Sequence, residues 1–573
     1  MLFLKLRFKG IMQKQYDVVI LGGGLAALTL SIQLKRQKPD ISILVLEKRE
    51  TEATTAAHKV GESTVELGSH YLREVLDLKG YLEEHELPKH GLRFFFKSNN
   101  KSDITSRVEL GPREKLPVPS HQLDRGTLEN ELIRRTKTLG TTVELGCRVK
   151  DVNFSPDGNE VTYVQNKEEK KAKGKWIADA SGRGNVLKHK FGFKKDWDHD
   201  VNAVWWRVKG VVDIDDWSND TNWKNKLKPK LRYLSTVHFM DAGYWFWVIP
   251  LGSKNTSLGI VADQKLHPFD TINQYPKALE WLKKHEPLCY EKVKPFGEGD
   301  GLLDFLILKH YGHNTQRVYD ATQRWGTTGE SGPFLDPFYS PGTDFISMNN
   351  TWLSDLILRD LAGEDIALRT LIYEQTHLNL FEAWTHIYQY KYPLMGSTQI
   401  MVVKIFWDWA VYWSVLALMF TNGAFTDLKL LKELFASSNG LGRRFTALHK
   451  QMQDFFVEWK PYDTEIFENK YIDPFDLEFL RKFQQGIDVQ QGSAENLVKK
   501  VSENLSILEK VAAEIFRLVS AQVKDTSPKI KVDPYTIILS GTTDTTSEKA
   551  LEWDEEIAKD VAVMWFYKKK QLA

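Results

Sequence analysis

The sequence predicts an α/β fold whose second half is helical, on three observations. A glycine-rich turn, Gly22-Gly23-Gly24-Leu25-Ala26-Ala27, joins the short apolar run Tyr16–Leu21 to a helical pattern over Leu25–Lys35. Between Val201 and about Asp304, alternating segments such as Val201–Val208 and Thr256–Val261 read as a separate mixed sheet. From about Leu353 onward the apolar periodicity becomes helical, most clearly over Leu497–Val519. The expected organisation is a nucleotide-binding part over 12–200, a substrate-side sheet over 201–310, a return to the first unit over 311–355, and a helical cap over 356–573.

The first unit can be justified residue by residue. Ile41–Leu46 is a second β-rich run that ends in Glu47. That acid lies about twenty residues past the glycines, as a Rossmann-like dinucleotide site requires. Gly22 permits the tight turn, Gly24 lets backbone approach a pyrophosphate, and Ala27 keeps helix close to sheet. The helix N-terminus offers amides to the phosphates, and Glu47 accepts from a ribose.

Composition closes off several other classes. The 573 residues exceed one compact core. With 77 basic against 76 acidic side chains there is no electrostatic case for nucleic acid. The two cysteines, Cys147 and Cys289, make no disulfide framework, which suits a reducing, cytoplasmic setting. The close pair His310 and His313 has no evident third ligand, so no metal is expected. Met1–Lys9 has no continuous apolar core and no cleavage site of a secretory signal, and Met12 stands just before the first strand. The uncharged run Trp409–Thr426 reads as a buried or surface-lying helix rather than a membrane span.

Three further motifs select the dinucleotide. Gln122-Leu123-Asp124-Arg125 resembles a helix start in FAD monooxygenases, where the arginine faces the cofactor. Asp179-Ala180-Ser181-Gly182 resembles the second strand–turn of that fold, and Gly329-Glu330-Ser331-Gly332-Pro333 its third motif, whose acid reaches the ribityl chain. In this order they imply an FAD-binding domain of the glutathione-reductase/aromatic-hydroxylase type, with Gly22, Gly24, Ala27, Glu47, Arg125, Asp179, Gly329 and Glu330 at the cofactor.

Trp245-Phe246-Trp247-Val248-Ile249-Pro250 resembles the W-x-W-x-I-P motif of flavin-dependent halogenases. Lys59–Thr64 and Asp336–Gly342 extend that resemblance. It implies that reduced FAD and oxygen oxidise halide to hypohalous acid, which a lysine then guides to an aromatic substrate. Lys89, ahead of the aromatic run Phe94-Phe95-Phe96, best fits that lysine's context; Lys59 sits too near the flavin loop and Lys79 on a polar helix. Trp245, Trp247, Ile249, Pro250, Phe95 and Tyr339 are the expected substrate or tunnel walls, and the amides of Gly342 and Thr343 the halide site.

Two departures from the family pattern sharpen the reading. Tyr339 stands where tryptophan halogenases carry a glutamate, which points to an electron-rich phenol or pyrrole rather than tryptophan. Pro341 removes one amide from the halide loop. The aromatic-rich stretch around Trp407, Trp409, Tyr412 and Trp413 suits a substrate bearing an acyl or alkyl chain, or one tethered to a carrier protein. No second G-x-G-x-x-G follows a strand, so reduced FAD is expected from a separate reductase. A monooxygenase of the same fold without halide use, and a non-catalytic FAD-binding paralogue, are the alternatives.

Overall fold

The computed structural model describes residues 15–567, apart from 57–58, 436–439, 525, 528 and 542–545; Met12 and the residues before it lie outside the described residues. The chain opens with strand β1 (Gln15–Leu21), helix α1 (Leu25–Gln37) and strand β2 (Ile43–Leu46), with β1 and β2 parallel and Val18 opposite Ile43. Val18, Val19, Ile20 and Leu21 are all buried because both faces of this sheet are covered, which is why the run is continuously apolar rather than alternating. Gly22 holds the turn at φ +98°, where a Cβ would stand 2.4 Å from the Ala180 carbonyl oxygen. No other residue fits there.

The chain then leaves this sheet. Strands β3 (Leu87–Lys89) and β4 (Leu92–Phe95) lie elsewhere, before helix α2 (Arg125–Thr138) and the long strand β5 (Glu168–Asp179), which pairs in parallel with β1. Strand β6 (Val201–Lys209) begins the second sheet, followed by β7 (Thr236–Asp241), β8 (Tyr244–Pro250), β9 (Asn255–Asp263) and β10 (Leu302–Leu308). Its strand order is β10, β6, β9, β8, β7, β4, then Glu109–Leu110 and Tyr471–Ile472. The sheet therefore draws three strands from outside 201–310. The open edge of β7 takes β4 in parallel, Val237 opposite Arg93, and local patterning in β4 gives no sign of a partner so far along the chain. Strand β11 (Trp325–Thr327) returns to the first sheet beside β5.

Period-two alternation sorts β8 into two faces. Tyr244, Phe246 and Val248 pack with Phe95, Trp206 and Phe239 in a core on the far side. Trp245, Trp247 and Ile249 point the other way, towards the nucleotide-binding unit. Beyond β11 the chain is mainly helical: α3 (Gly342–Leu361), α4 (Ala367–Tyr388), α5 (Thr398–Thr421), α6 (Leu441–Trp459) and α7 (Ala494–Lys524). Among the described residues α5 is the one helix long and apolar enough to cross a membrane, and 94% of its apolar window is buried inside the protein. It is a core helix here, interrupted by a π-helical turn over Tyr412–Ala417.

Arg207 of β6 ties the two sheets together. Its fully buried guanidinium donates to Glu62 at 2.8 Å and Asp304 at 2.9 Å and reaches the Lys59 carbonyl, pinning the 59–64 loop onto the second sheet. Glu62 also accepts from Ser257 Oγ at 2.6 Å. Removing one partner strands a buried charge, which costs about 3–5 kcal/mol. Urea unfolding of Arg207→Ala is expected to show a loss of that size; a change below ~1 kcal/mol contradicts the clamp.

Candidate active site

Two cavities meet at the start of α3. The larger, of about 840 Å³, is lined by Gly22, Gly23, Gly24, Glu47, Arg125, Gly329 and Glu330, and also by Trp245, Trp247 and Ile249. The residues expected at a dinucleotide and those expected at its reactive end thus share one space. Glu47 accepts the Gly23 amide and, at 2.8 Å, the Arg49 amide, which fixes the carboxylate beside the glycine turn. Arg125 donates to the Val60 carbonyl at 2.7 Å and to Glu129 at 2.6 Å, while Lys59 reaches the other Glu129 oxygen at 2.9 Å. These two cations hold Glu129 below the usual carboxylate range despite its burial. Glu330 pairs with Arg183 at 2.9 Å.

Two expected cofactor residues do something else. Ala27 is fully buried inside α1 and does not line the cavity; its small side chain serves packing. Asp179 is fully buried as well, with its oxygens taken by the Ser181 amide at 3.0 Å, the Ser181 hydroxyl at 2.6 Å and the Leu187 amide at 2.7 Å. It shapes the D-A-S-G turn from behind. The turn itself, Ala180-Ser181-Gly182, faces the cavity.

The smaller cavity has a volume of about 60 Å³ and is walled by aromatic rings, among them Trp384, Tyr388, Trp409, Tyr412 and Trp413. Its charged lining is Lys89, Glu66, Asp344 and Asp408. Lys89 ends β3, 4% exposed, and donates from Nζ to the Thr64 carbonyl at 2.7 Å. Burial lowers its pKa to about 7, against the opposing pull of Glu66 and Asp344. Lys59, by contrast, lines the larger cavity, and Lys79 is exposed at the start of a short helix.

The turn Tyr339-Ser340-Pro341 divides the cavities. Ser340, Gly342 and Thr343 face the larger, Tyr339 and Asp344 the smaller, and Pro341 borders both. Tyr339 and Ser340 have φ of 71° and 61°, a pair of non-glycine residues in the left-handed region, held there although such geometry is costly. Tyr339 OH donates to Asp408 at 3.0 Å, which anchors the turn to α5. Gly342 and Thr343 open α3, where backbone amides have no intrahelical acceptor. Behind the turn the rings of Trp245 and Phe338 lie 5.5 Å apart, Phe338 and Tyr339 4.2 Å, and Phe338 and Phe94 5.8 Å. A continuous aromatic partition results.

Strand alternation corrects two wall assignments. Phe95 points into the far core, stacked on Phe239 at 5.0 Å, and its neighbour Phe94 takes the place in the partition. Pro250 falls one residue out of phase with Trp245, Trp247 and Ile249 and does not line the cavity. Trp407 likewise turns away from the smaller cavity, its indole N–H 3.3 Å from His449 Nδ1. Sequence reasoning missed His238, which stacks on Phe94 at 4.6 Å and lines the larger cavity; burial drops its pKa to about 3, so the ring is neutral. It also missed Gly259, where a Cβ would stand 2.3 Å from the Trp247 ring, and the carboxyls Glu66 and Asp344.

Asp344 lies in the first turn of α3, where the helix end favours a carboxylate, yet burial dominates and lifts its pKa to about 7. Its Oδ1 accepts the Gly68 amide at 2.8 Å. Since the folded pKa lies above the unfolded value of about 3.9, its stabilising contribution is present below that value and is lost as pH rises towards about 7. Asp344→Asn is expected to lose less stability than the parent between about pH 4 and 7 in urea unfolding. Identical pH slopes contradict the assignment.

Residues 20–84 match the family described as NAD(P)-binding Rossmann-like domain. The chain is 28% identical over 449 residues to the flavin-dependent halogenase chlA of Dictyostelium discoideum, covering 70% of each chain. It is 24% identical over 411 residues to the 1H-pyrrole-2-carbonyl-[peptidyl-carrier protein] brominase of Pseudoalteromonas luteoviolacea, covering 70% of this chain and 87% of that one. Among solved structures, halogenase PltM in complex with phloroglucinol and FAD superposes with a TM-score of 0.61 at 17% identity, over 89% of this chain and 97% of that one, a likeness of fold. Sequence relatives, fold and the W-x-W-x-I-P strand on the cavity wall agree: in sequence and in fold the chain is similar to flavin-dependent halogenases.

Proposed function

We propose that the protein uses reduced FAD, dioxygen and chloride or bromide to halogenate an electron-rich aromatic metabolite, with hypohalous acid guided to Lys89. The observation that carries this is the placement of Lys89: a desolvated amine in an aromatic cavity, separated from the glycine-lined cavity by one turn. The larger cavity fits FAD in its chemistry. Gly24 is side-chain-free on its wall, the amides opening α1 point to it, and Arg125, Lys59 and Arg49 surround it with positive charge. Bound there in reduced form, FAD would supply the two electrons that activate dioxygen, and dioxygen is the oxidant that takes halide to hypohalous acid.

The chain's own residues then do three things. Gly342 and Thr343 offer amides at the helix end to a halide on the flavin side of the turn, without help from Pro341, which has no N–H. Trp245, Trp247 and Phe338 close the direct route, so that an organic substrate stays on the far side. Lys89, as ammonium, hydrogen-bonds the hypohalous oxygen or, as amine, takes up the halogen; its pKa of about 7 makes both forms accessible.

The same reading extends to partners. With no second dinucleotide turn in the sequence, a separate reductase supplies reduced FAD. The substrate is a phenol- or pyrrole-like ring, in keeping with relatives named for carrier-bound pyrrole and a fold neighbour complexed with phloroglucinol. The smaller cavity, about 60 Å³, is well under the roughly 150 Å³ that holds benzene, so the ring widens it on entry. An acyl or alkyl chain, or a carrier arm, lies along Trp409 and Trp413 of α5, each methylene contributing about 0.8 kcal/mol. Cys147 and Cys289, both buried and unpaired, suit the cytoplasm.

The test supplies purified protein with FAD, NADH, a flavin reductase and an alkylated phenol, in chloride and then in bromide. A product whose isotope pattern follows the halide supports the reading; a hydroxylated product, or substrate-dependent NADPH oxidation without the reductase, overturns it. Lys89→Ala is expected to retain flavin and oxygen consumption while halogenation falls on the order of 10²–10⁴-fold. Gly24→Val is expected to fold yet lose FAD, because its side chain enters the cavity and meets only the flexible end of Lys59; full FAD occupancy by absorbance contradicts the site.

A further inference from the structure

Lys89 does not face the substrate cavity alone. Asp344 from α3 and Glu66, the first residue of the short helix Glu66–His70, line the same small space, 2% and 4% exposed. Tyr388, at the end of α4, also lines it; its hydroxyl is buried and has no hydrogen-bond partner among the described residues. Of the other two acids on this wall, Glu66 faces Trp413 and Gln484, and Asp408 has a structural task. Asp408 is consumed by Lys404, Gln453 and Tyr339. Asp344 accepts the Gly68 amide at Oδ1 and a hydrogen bond from Tyr412, whose oxygen in turn takes the Leu67 amide at 3.0 Å; a carboxylate has about four lone-pair sites, so acceptor capacity remains. Beside Lys89 the cavity thus presents an acceptor, Asp344, and an unspent donor, Tyr388.

Resting on the halogenase reading above, we propose that Asp344 accepts the ring hydroxyl of the substrate and Tyr388 donates to the same oxygen, so that this site selects phenols. Phenol activation then comes from α3, two residues past Gly342, and not from the loop position that Tyr339 occupies.

The protons balance. As the ring carbon bonds to the halogen of hypohalous acid, the oxygen–halogen bond breaks and its electron pair leaves with the hydroxide. The Lys89 ammonium protonates that hydroxide to water. The substrate O–H proton passes to the Asp344 carboxylate, leaving a neutral dienone. Loss of the proton on the halogenated carbon to the Lys89 amine, with return of the Asp344 proton to oxygen, restores the aromatic ring and both side chains. The sum is ArH + HOX → ArX + H₂O. Tyr388 loses no proton; it holds the oxygen whose charge grows. A ring without an O–H cannot use Asp344.

Asp344→Asn keeps an acceptor for the Gly68 amide and is the informative variant. With reductase, FAD and bromide, the parent and variants are assayed on phloroglucinol, on N,N-dimethylaniline (an electron-rich ring with no O–H), and on a diketone trap for free hypobromous acid. Because neutralising Asp344 also changes the charge beside Lys89 for every substrate, the ratio of rates is read: Asp344→Asn is expected to lower kcat on phloroglucinol relative to the aniline about 10²-fold. Tyr388→Phe is expected to raise KM for phloroglucinol about tenfold with little effect on the aniline. Equal loss on both rings, or an unchanged phloroglucinol rate in Asp344→Asn, overturns the assignment. A parent that brominates neither ring nor the trap overturns the halogenase reading, and this inference with it.

Discussion

The desolvation of Lys89 is the constraint on which the rest of the structure depends. An ammonium with 4% of its surface exposed is tolerated only where its surroundings repay the lost hydration. Here the Thr64 carbonyl takes one hydrogen bond, and Glu66 and Asp344 supply opposing charge from two other elements. Three parts of the chain must converge to bury it: the start of the short helix Glu66–His70, the first turn of α3, and the π-turned stretch of α5 with Tyr412 and Trp413. The helical half thereby supplies walls of the cavity that holds Lys89.

The second requirement is separation. Oxidant made beside a flavin is useful only if the organic substrate cannot reach the place where it forms. The partition stands between the two cavities on rings that are themselves fixed: Trp245 donates to Tyr392 at 3.1 Å, Tyr392 to Asp336 at 2.7 Å, and Trp247 to Ser257 at 3.2 Å over the bare backbone of Gly259. The left-handed pair Tyr339 and Ser340 brings the turn between the two spaces, and the Tyr339–Asp408 hydrogen bond keeps it there.

Much of this was legible in the residues. The glycine turn, Glu47, Arg125 and Glu330 stand on the wall of one cavity, and Lys89 on the wall of the other. These are short-range signals, in which the chemistry sits within a few residues of its motif. The misreadings have physical causes. Phe95 was a choice among three consecutive phenylalanines, and only strand phase decides that Phe94 faces inward. Asp179 looked like a ligand because its motif touches one, whereas its own oxygens bind the turn. Glu66, Asp344 and His238 could not be found at all: their importance arises from a meeting of distant segments, and burial, which no local pattern reports, sets their protonation. The pairing of β4 with β7 escaped for the same reason.

The account stands or falls on whether the oxidising halogen is held at Lys89. The most direct measurement turns over the FAD-loaded protein with reductase, oxygen and chloride in the absence of an aromatic substrate, removes small molecules by rapid gel filtration, and titrates oxidising equivalents left on the protein. Retained equivalents that chlorinate an added phenol, and that are missing from Lys89→Met, are the predicted result. Oxidising equivalents found only in the small-molecule fraction, or retained equally by Lys89→Met, contradict it.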